Sequence, residues 1–226
     1  MTFIDDNLNT IIQGDCLEVM KQIPDKSIDL VLTDPPYLVN WQSNRRDVKH
    51  KLIENDNNDS WLDPVFNEIS RIMKEDSLMV SFYGYPHADK FINSWRKHDL
   101  EIKSHIVWIK NNMGLGWFTR TQHETAYLLA KGKPSKPKKA YSDIYHAKIT
   151  GNKLHPTEKP VNLFSKLLKS FSEEGMTILD PFSGSGTTAI ACHDLKRNFI
   201  CIEKEPEYVA ISQKRLKDVR MQLTLF

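Results

Sequence analysis

Short apolar runs rich in β-branched residues alternate along this chain with stretches whose apolar positions recur every three and four residues. Seven of the runs read as strands: Thr10–Gln13, Ile28–Thr33, Leu78–Tyr83, His105–Lys110, Glu124–Ala130, Thr177–Asp180 and Asn198–Glu203. Between them Leu17–Ile23, Pro64–Met73, Pro86–Lys97, Pro160–Phe171, Thr187–Leu195 and Pro206–Val219 read as helices. Several open on proline, whose missing N–H is no loss at a first helical position. Strands that alternate with helices predict an α/β fold, with a seven-stranded, mostly parallel sheet covered by helices on both faces. The rhythm breaks once. The segment holding Asn111, Asn112, Gly114 and Gly116 is too short for a crossover helix, so the strands on either side of it form an antiparallel hairpin. Residues 38–60 are polar, rich in Asn and Asp and without periodicity, which predicts a mobile functional loop.

Composition narrows this picture to one domain, 1–226. At 226 residues and 40% hydrophobic content the chain fills one sizeable core with little left for a second. Asp5 and Asp6 stand where a signal peptide needs basic residues, and no apolar run is long enough to span a membrane, so the expectation is a soluble, cytoplasmic protein. Cys16, Cys192 and Cys201 show neither metal-ligand spacing nor an even count, so no structural metal and no disulfide framework is expected.

The formal net charge of +2 says little about partners, but its distribution is uneven. Arg45, Arg46, Lys49, His50 and Lys51 form one basic cluster; Lys131, Lys133, Lys136, Lys138 and Lys139, interleaved with Pro134 and Pro137, form another within a small basic segment, 131–153. Both are expected to be loops. Solvated surface is the commoner meaning of such clusters, and contact with a polyanion is the functional one.

Two strings carry the chemistry. Thr33-Asp34-Pro35-Pro36-Tyr37 follows the apolar run at 28–32 and therefore sits at the carboxyl end of a strand, the edge where open α/β sheets bind ligands. The prolines fix the backbone, so Asp34 and the Pro35 carbonyl are two rigid acceptors. Two acceptors that grip the hydrogens of an exocyclic base amine favour a pyramidal nitrogen and stabilise the positive charge that develops as it attacks. Tyr37 offers a face on which the base can stack. The bland alternative for four such residues is an ordinary turn. The second string, Asp180-Pro181-Phe182-Ser183-Gly184-Ser185-Gly186-Thr187-Thr188, lies in a strand-to-helix turn whose glycines let backbone approach a ligand closely. A phosphate loop needs a downstream Lys-Ser/Thr that is absent here. Glu203 ends the next strand, where nucleoside-binding folds hold ribose hydroxyls, so a nucleoside without a phosphate chain is implied.

These strings, in this order, resemble the β-group of DNA amino-methyltransferases over nearly the whole chain. The resemblance implies that Asp34, Pro35, Pro36 and Tyr37 are catalytic and that the cofactor is S-adenosylmethionine. Asp180, Phe182, Ser183, Gly184, Gly186, Thr187 and Thr188 would hold its methionine part, and Glu203 its ribose. Gly14-Asp15-Cys16 resembles the pocket for its adenine, and His155-Pro156-Thr157-Glu158-Lys159-Pro160 the motif near its carboxylate, with Asp15 and Lys159 as the chosen residues. A helix cap and an exposed surface cation are the bland alternatives for those two. The implied fold is the class I methyltransferase sheet, circularly permuted, with the strands at 177 and 198 as first and second and that at 10 as third.

The implied substrate is double-stranded DNA, with Arg45, Arg46, Lys49, Lys51, Lys133, Lys136, Lys138 and Lys139 on its phosphates and a base flipped into the pocket. Asp at the first motif position is typical of adenine-N6 enzymes and Ser is commoner in cytosine-N4 enzymes, so adenine leads and cytosine is the alternative. A DNA-binding module without activity is the non-enzymatic alternative. Homodimers are frequent in the group. At the end of the chain Gln222, Leu223, Leu225 and Phe226 resemble the peptide by which bacterial proteins dock on the DNA polymerase sliding clamp; packing on the protein's own sheet is the alternative.

Overall fold

The computed structural model describes residues 2–39, 56, 58–114, 118–137, 139–151, 154 and 157–223. In chain order the elements are α1 (Phe3–Asn7), β1 (Thr10–Gln13), α2 (Cys16–Met20), β2 (Ile28–Thr33), α3 (Leu62–Ile72), β3 (Met73–Phe82), α4 (Ala88–Lys97) and β4 (Leu100–Ile109). Then come β5 (His123–Lys131), β6 (Ile144–His146), α5 (Val161–Phe171), β7 (Thr177–Asp180), α6 (Thr187–Asp194), β8 (Asn198–Glu203) and α7 (Pro206–Leu223).

The described sheet has eight strands, in the order β1-β8-β7-β2-β3-β5-β4-β6. The seven expected strands are all present. The eighth, β6, is a three-residue edge strand beside Val107–Ile109, too short to leave a pattern in the sequence. Only β5 runs against its neighbours, pairing antiparallel with β3 and β4, as the short hairpin connection requires. Counted from β7 as first, β8 as second and β1 as third, the order becomes 3-2-1-4-5-7-6 with β6 added at the edge, which is the permutation expected from the motif order.

Period-2 side-chain direction divides the core between the two faces. Val31, Met79, Leu129, Leu179 and Ile200 point to one face, where Phe66 and Ile69 of α3 and Phe91 and Trp95 of α4 pack on them. Leu30, Leu32, Val80, Ile178 and Phe199 point to the other, under Phe164 and Leu167 of α5, Ala189 of α6 and Leu216 of α7. Central strands buried on both faces explain why β2, β7 and β8 read as mainly apolar runs without period-2 alternation.

Several boundaries differ from the expectation for local reasons. β3 begins five residues early at Met73, because Lys74, Glu75 and Asp76 form an exposed polar stretch whose register shifts against β2. The segment 131–153 is not a plain loop: Lys131 closes β5 with its ammonium on the Ser70 and Met73 carbonyls (2.6 and 2.9 Å), and β6 lies inside it. α1 was absent from the pattern because it has five residues and no buried ones; a capping box between Thr2 and Asp5 holds it. Of the expected loop 38–60, residues 40–55 and 57 lie outside the described residues.

Candidate active site

A pocket opens at the carboxyl ends of β1, β8, β7 and β2, where the strand order reverses between β7 and β2. Asp15, Cys16, Asp34, Pro35, Pro36, Tyr37, Lys159, Asp180, Phe182, Ser183, Gly184, Thr187 and Glu203 all line it. The two motifs, far apart in the chain, share one cavity because β7 pairs directly with β2.

On the glycine-turn side the polar groups are held by backbone. Glu203 accepts the Gly184 N–H at 2.8 Å and the Glu205 N–H at 2.9 Å, so the carboxylate that ends β8 pins the turn that ends β7. Burial nevertheless pushes its carboxyl above the usual value. Asp180 accepts the Phe182 N–H at 3.1 Å and the Thr188 hydroxyl, and burial pushes its pKa up to about 7. Gly186 caps α6 from the left-handed region, φ 81°, and a Cβ there would sit 2.6 Å from the Ser212 Cβ of α7, so the turn requires glycine. Arg215 of α7 donates to the Ser185 carbonyl at 2.6 Å and hydroxyl at 2.9 Å, a clasp invisible in the sequence because it comes from thirty residues away. Phe182 rests edge-on against Trp61, with centroids 5.4 Å apart. Asp15 caps α2 by accepting the Leu17 N–H at 3.0 Å while lining the pocket. Beside it burial, helped by the Asp15 charge, lifts the Cys16 thiol to about 12, so Cys16 is a neutral wall and no nucleophile.

On the other side the polar groups are charged side chains that hold one another. Tyr37 donates its hydroxyl hydrogen to Asp34 at 2.7 Å. Lys159, whose side chain is 4% exposed, places its ammonium 2.5 Å from Asp34 Oδ2, 3.0 Å from Glu124 Oε2 and 3.2 Å from the Tyr37 hydroxyl. Lys110 grips the second oxygen of Glu124 at 2.5 Å. Lys159 also lies 5.3 Å from the Tyr37 ring centroid and 5.1 Å from that of Phe82, which stacks on Phe164. Lys159 is thus no surface cation. Burial alone would lower its pKa, but the Asp34 and Glu124 carboxylates outweigh that and keep it cationic. Burial opposes the Glu124 charge too, yet two ammonium groups pull it down to about 2. Asp34 shares only one of those cations, so burial wins and its carboxyl sits above the usual range. Gly84 supports the motif from below: a Cβ there would come within 2.4 Å of the Tyr37 carbonyl oxygen.

Some expected residues are not brought here. Lys133 follows the end of β5, at the sheet edge opposite the pocket, where its backbone N–H meets Asp76 at 2.7 Å. Lys136 and Lys139 are exposed and do not line the pocket; Lys139 lies 5.2 Å over the Tyr141 ring. Arg45, Arg46, Lys49, Lys51, Lys138, His155, Pro156, Leu225 and Phe226 lie outside the described residues, and Gln222 and Leu223 end α7. Gly186 and Thr188 stand behind the pocket wall.

Residues 28–214 match the N6_N4_Mtase family, described as DNA methylase. The chain belongs to this family. Among individual proteins, YubD of Escherichia coli (strain K12) is 40% identical over 213 residues, covering 94% of this chain and 92% of that protein. The type II methyltransferase M.HinfI of Haemophilus influenzae is 29% identical over 254 residues, covering 96% and 70%. Among solved structures, that of the M1.HpyAVI–SAM complex is 28% identical with a TM-score of 0.70, covering 92% of this chain and 99% of that one. Among the described residues of this DNA methylase no helix is long and apolar enough to cross a membrane.

Glu124, Lys110, Gly84, Phe82 and Asp56 are the site residues that the sequence did not disclose. Glu124 and Lys110 had a faint signal, a carboxylate opening one apolar strand and a cation closing the one before it in the same hairpin. Asp56 is buried on the pocket wall and accepts the Val39 N–H at 3.2 Å, within a stretch that reads as uniformly polar.

Proposed function

We propose that this DNA methylase transfers a methyl group from S-adenosylmethionine to the N6 amine of adenine in double-stranded DNA. The observation that carries the proposal is the single cavity that Asp34 and Tyr37 share with Phe182, Gly184 and Glu203.

The residues present fit the cofactor. The Ser183 hydroxyl is buried on the pocket wall without a hydrogen-bond partner, an orphan that a ligand would satisfy. Around it, Phe182 and the Gly184 turn would hold the methionine part, the remaining lone pairs of Glu203 the ribose hydroxyls, and Asp15 and Cys16 the adenine end. The cofactor, when bound, supplies an electrophilic methyl group on a sulfonium. A base flipped from the duplex, at a cost of about a few kcal/mol, would stack on Tyr37. Asp34 and the Pro35 carbonyl would accept its two amine hydrogens and hold the nitrogen in line with that methyl. As the new N–C bond forms, Asp34 stabilises the growing positive charge and is suitably placed to take the proton that the amine sheds, which its raised pKa favours.

Adenine is favoured over cytosine by Asp34 itself, the residue typical of adenine-N6 enzymes at that position. DNA phosphates would be met by Arg45, Arg46, Lys49 and Lys51. Methylome sequencing of DNA from cells expressing the protein tests the proposal. N6-methyladenine at a defined motif is expected, absent from cells expressing Asp34→Ala; N4-methylcytosine at that motif would replace adenine as the target.

A further inference from the structure

The Lys159 ammonium occupies Asp34, the acceptor that the target amine would need on the methyl-transfer reading. It donates an N–H there and stands beside the Tyr37 hydroxyl. A cation there also opposes the positive charge that develops on the attacking nitrogen. With a side chain only 4% exposed, Lys159 is poorly solvated, so when the amine arrives its charge is best met by another buried carboxylate. Glu124 is 3.0 Å away and already shares the ammonium.

Resting on the methyl-transfer reading above, we propose that Glu124 is a positioning residue that draws the Lys159 ammonium off Asp34 as the target amine enters. Glu124 suits the task because it is fixed. It is the second residue of β5, in register with Trp108 of β4, and its second oxygen is tied to Lys110, whose ammonium lies 5.2 Å from the Trp108 ring centroid. The groups facing Lys159 are Asp34, Glu124, Tyr37 and Phe82, with Lys110 behind Glu124. The two carboxylates and two ammonium groups balance, so moving Lys159 wholly to Glu124 leaves Asp34 as the one uncompensated negative charge, facing the amine.

The test is single-turnover transfer from labelled S-adenosylmethionine to DNA, on the alkaline plateau of the wild-type pH profile. The set comprises wild type, Glu124→Gln, Glu124→Asp, Lys159→Met and the double variant Glu124→Gln/Lys159→Met. Glu124→Gln is expected to lower the transfer rate about 100-fold, with the KM for the cofactor nearly unchanged and partial recovery in Glu124→Asp. Removing Lys159 from the Glu124→Gln protein is expected to restore about tenfold, because no cation then remains to be displaced. Lys159→Gln serves in place of Lys159→Met if the latter fails to melt cooperatively. A double variant no faster than Glu124→Gln, or a Glu124→Gln effect confined to KM, overturns the proposal. A wild-type protein that transfers no methyl overturns the underlying reading instead.

Discussion

The two walls of the pocket are built in opposite ways. On the glycine-turn wall, Asp180 and Glu203 bond backbone N–H groups within two residues or across one strand pairing. On the opposite wall, Asp34, Glu124, Lys159, Lys110 and Tyr37 bond one another across separations of up to 125 residues. A wall of fixed backbone dipoles suits a ligand that enters repeatedly in one pose. A wall of mutually compensating charges can redistribute them when a base arrives, so binding and chemistry reside on different walls and should fail separately.

Asp34→Ala probes that division most severely. Methyl transfer should fall by about 10²–10³-fold or more, the scale of losing a group aimed at developing charge, while calorimetry shows cofactor affinity within about twofold of wild type. A matching loss of cofactor affinity would merge the two walls into one. Gly186→Ala strikes the other wall. The left-handed backbone and the approach to Ser212 should cost about 1–3 kcal/mol, read as a lower Tm and weaker cofactor binding. Cofactor saturation should then recover most of the transfer rate.

A gentler probe is the pH profile of kcat/KM. Asp34 acts as a carboxylate, so activity is present above its folded pKa and lost as pH falls through it; because that pKa is raised, the acid limb should lie above the ordinary aspartate value. Lys159 is the main influence holding Asp34 down, so Lys159→Met should move the limb to higher pH. A limb that stays in place would detach Lys159 from Asp34.

The smallest effect concerns stability. Asp180 is raised from 3.8 to about 7, so the folded protein holds its proton where the unfolded chain releases it. Its contribution to stability is therefore fully present below about 4, decays as pH rises to about 7 and is lost above that. Asp180→Asn, whose amide can meet both Phe182 and Thr188, should flatten this part of the Tm–pH curve in calorimetry. An unchanged slope would mean that Asp180 is not protonated in the fold.

The same contrast governs what the sequence disclosed. The turn 180–188 and Asp34–Tyr37 are contiguous strings at strand ends, where local chain direction forces the geometry, and both were legible. The strands β2, β7 and β8 were legible to the residue because they are buried on both faces. Glu124 and Lys159 meet Asp34 only through the pairing of β5 with β3 and the path from β6 into α5, which no local pattern encodes. Charge clusters carry little positional information for the converse reason. Lys131 and Lys133 look alike in sequence, yet the far edge of the sheet turns one inward onto carbonyls and leaves the other away from the pocket.

One measurement addresses the reaction itself. Unmethylated plasmid DNA incubated with the purified protein and S-adenosylmethionine, then digested to nucleosides, should yield N6-methyldeoxyadenosine by mass spectrometry, at an initial rate at least about 100-fold lower with Asp34→Ala. N4-methyldeoxycytidine in its place would contradict the choice of base, and the absence of any methylated nucleoside would contradict the account as a whole.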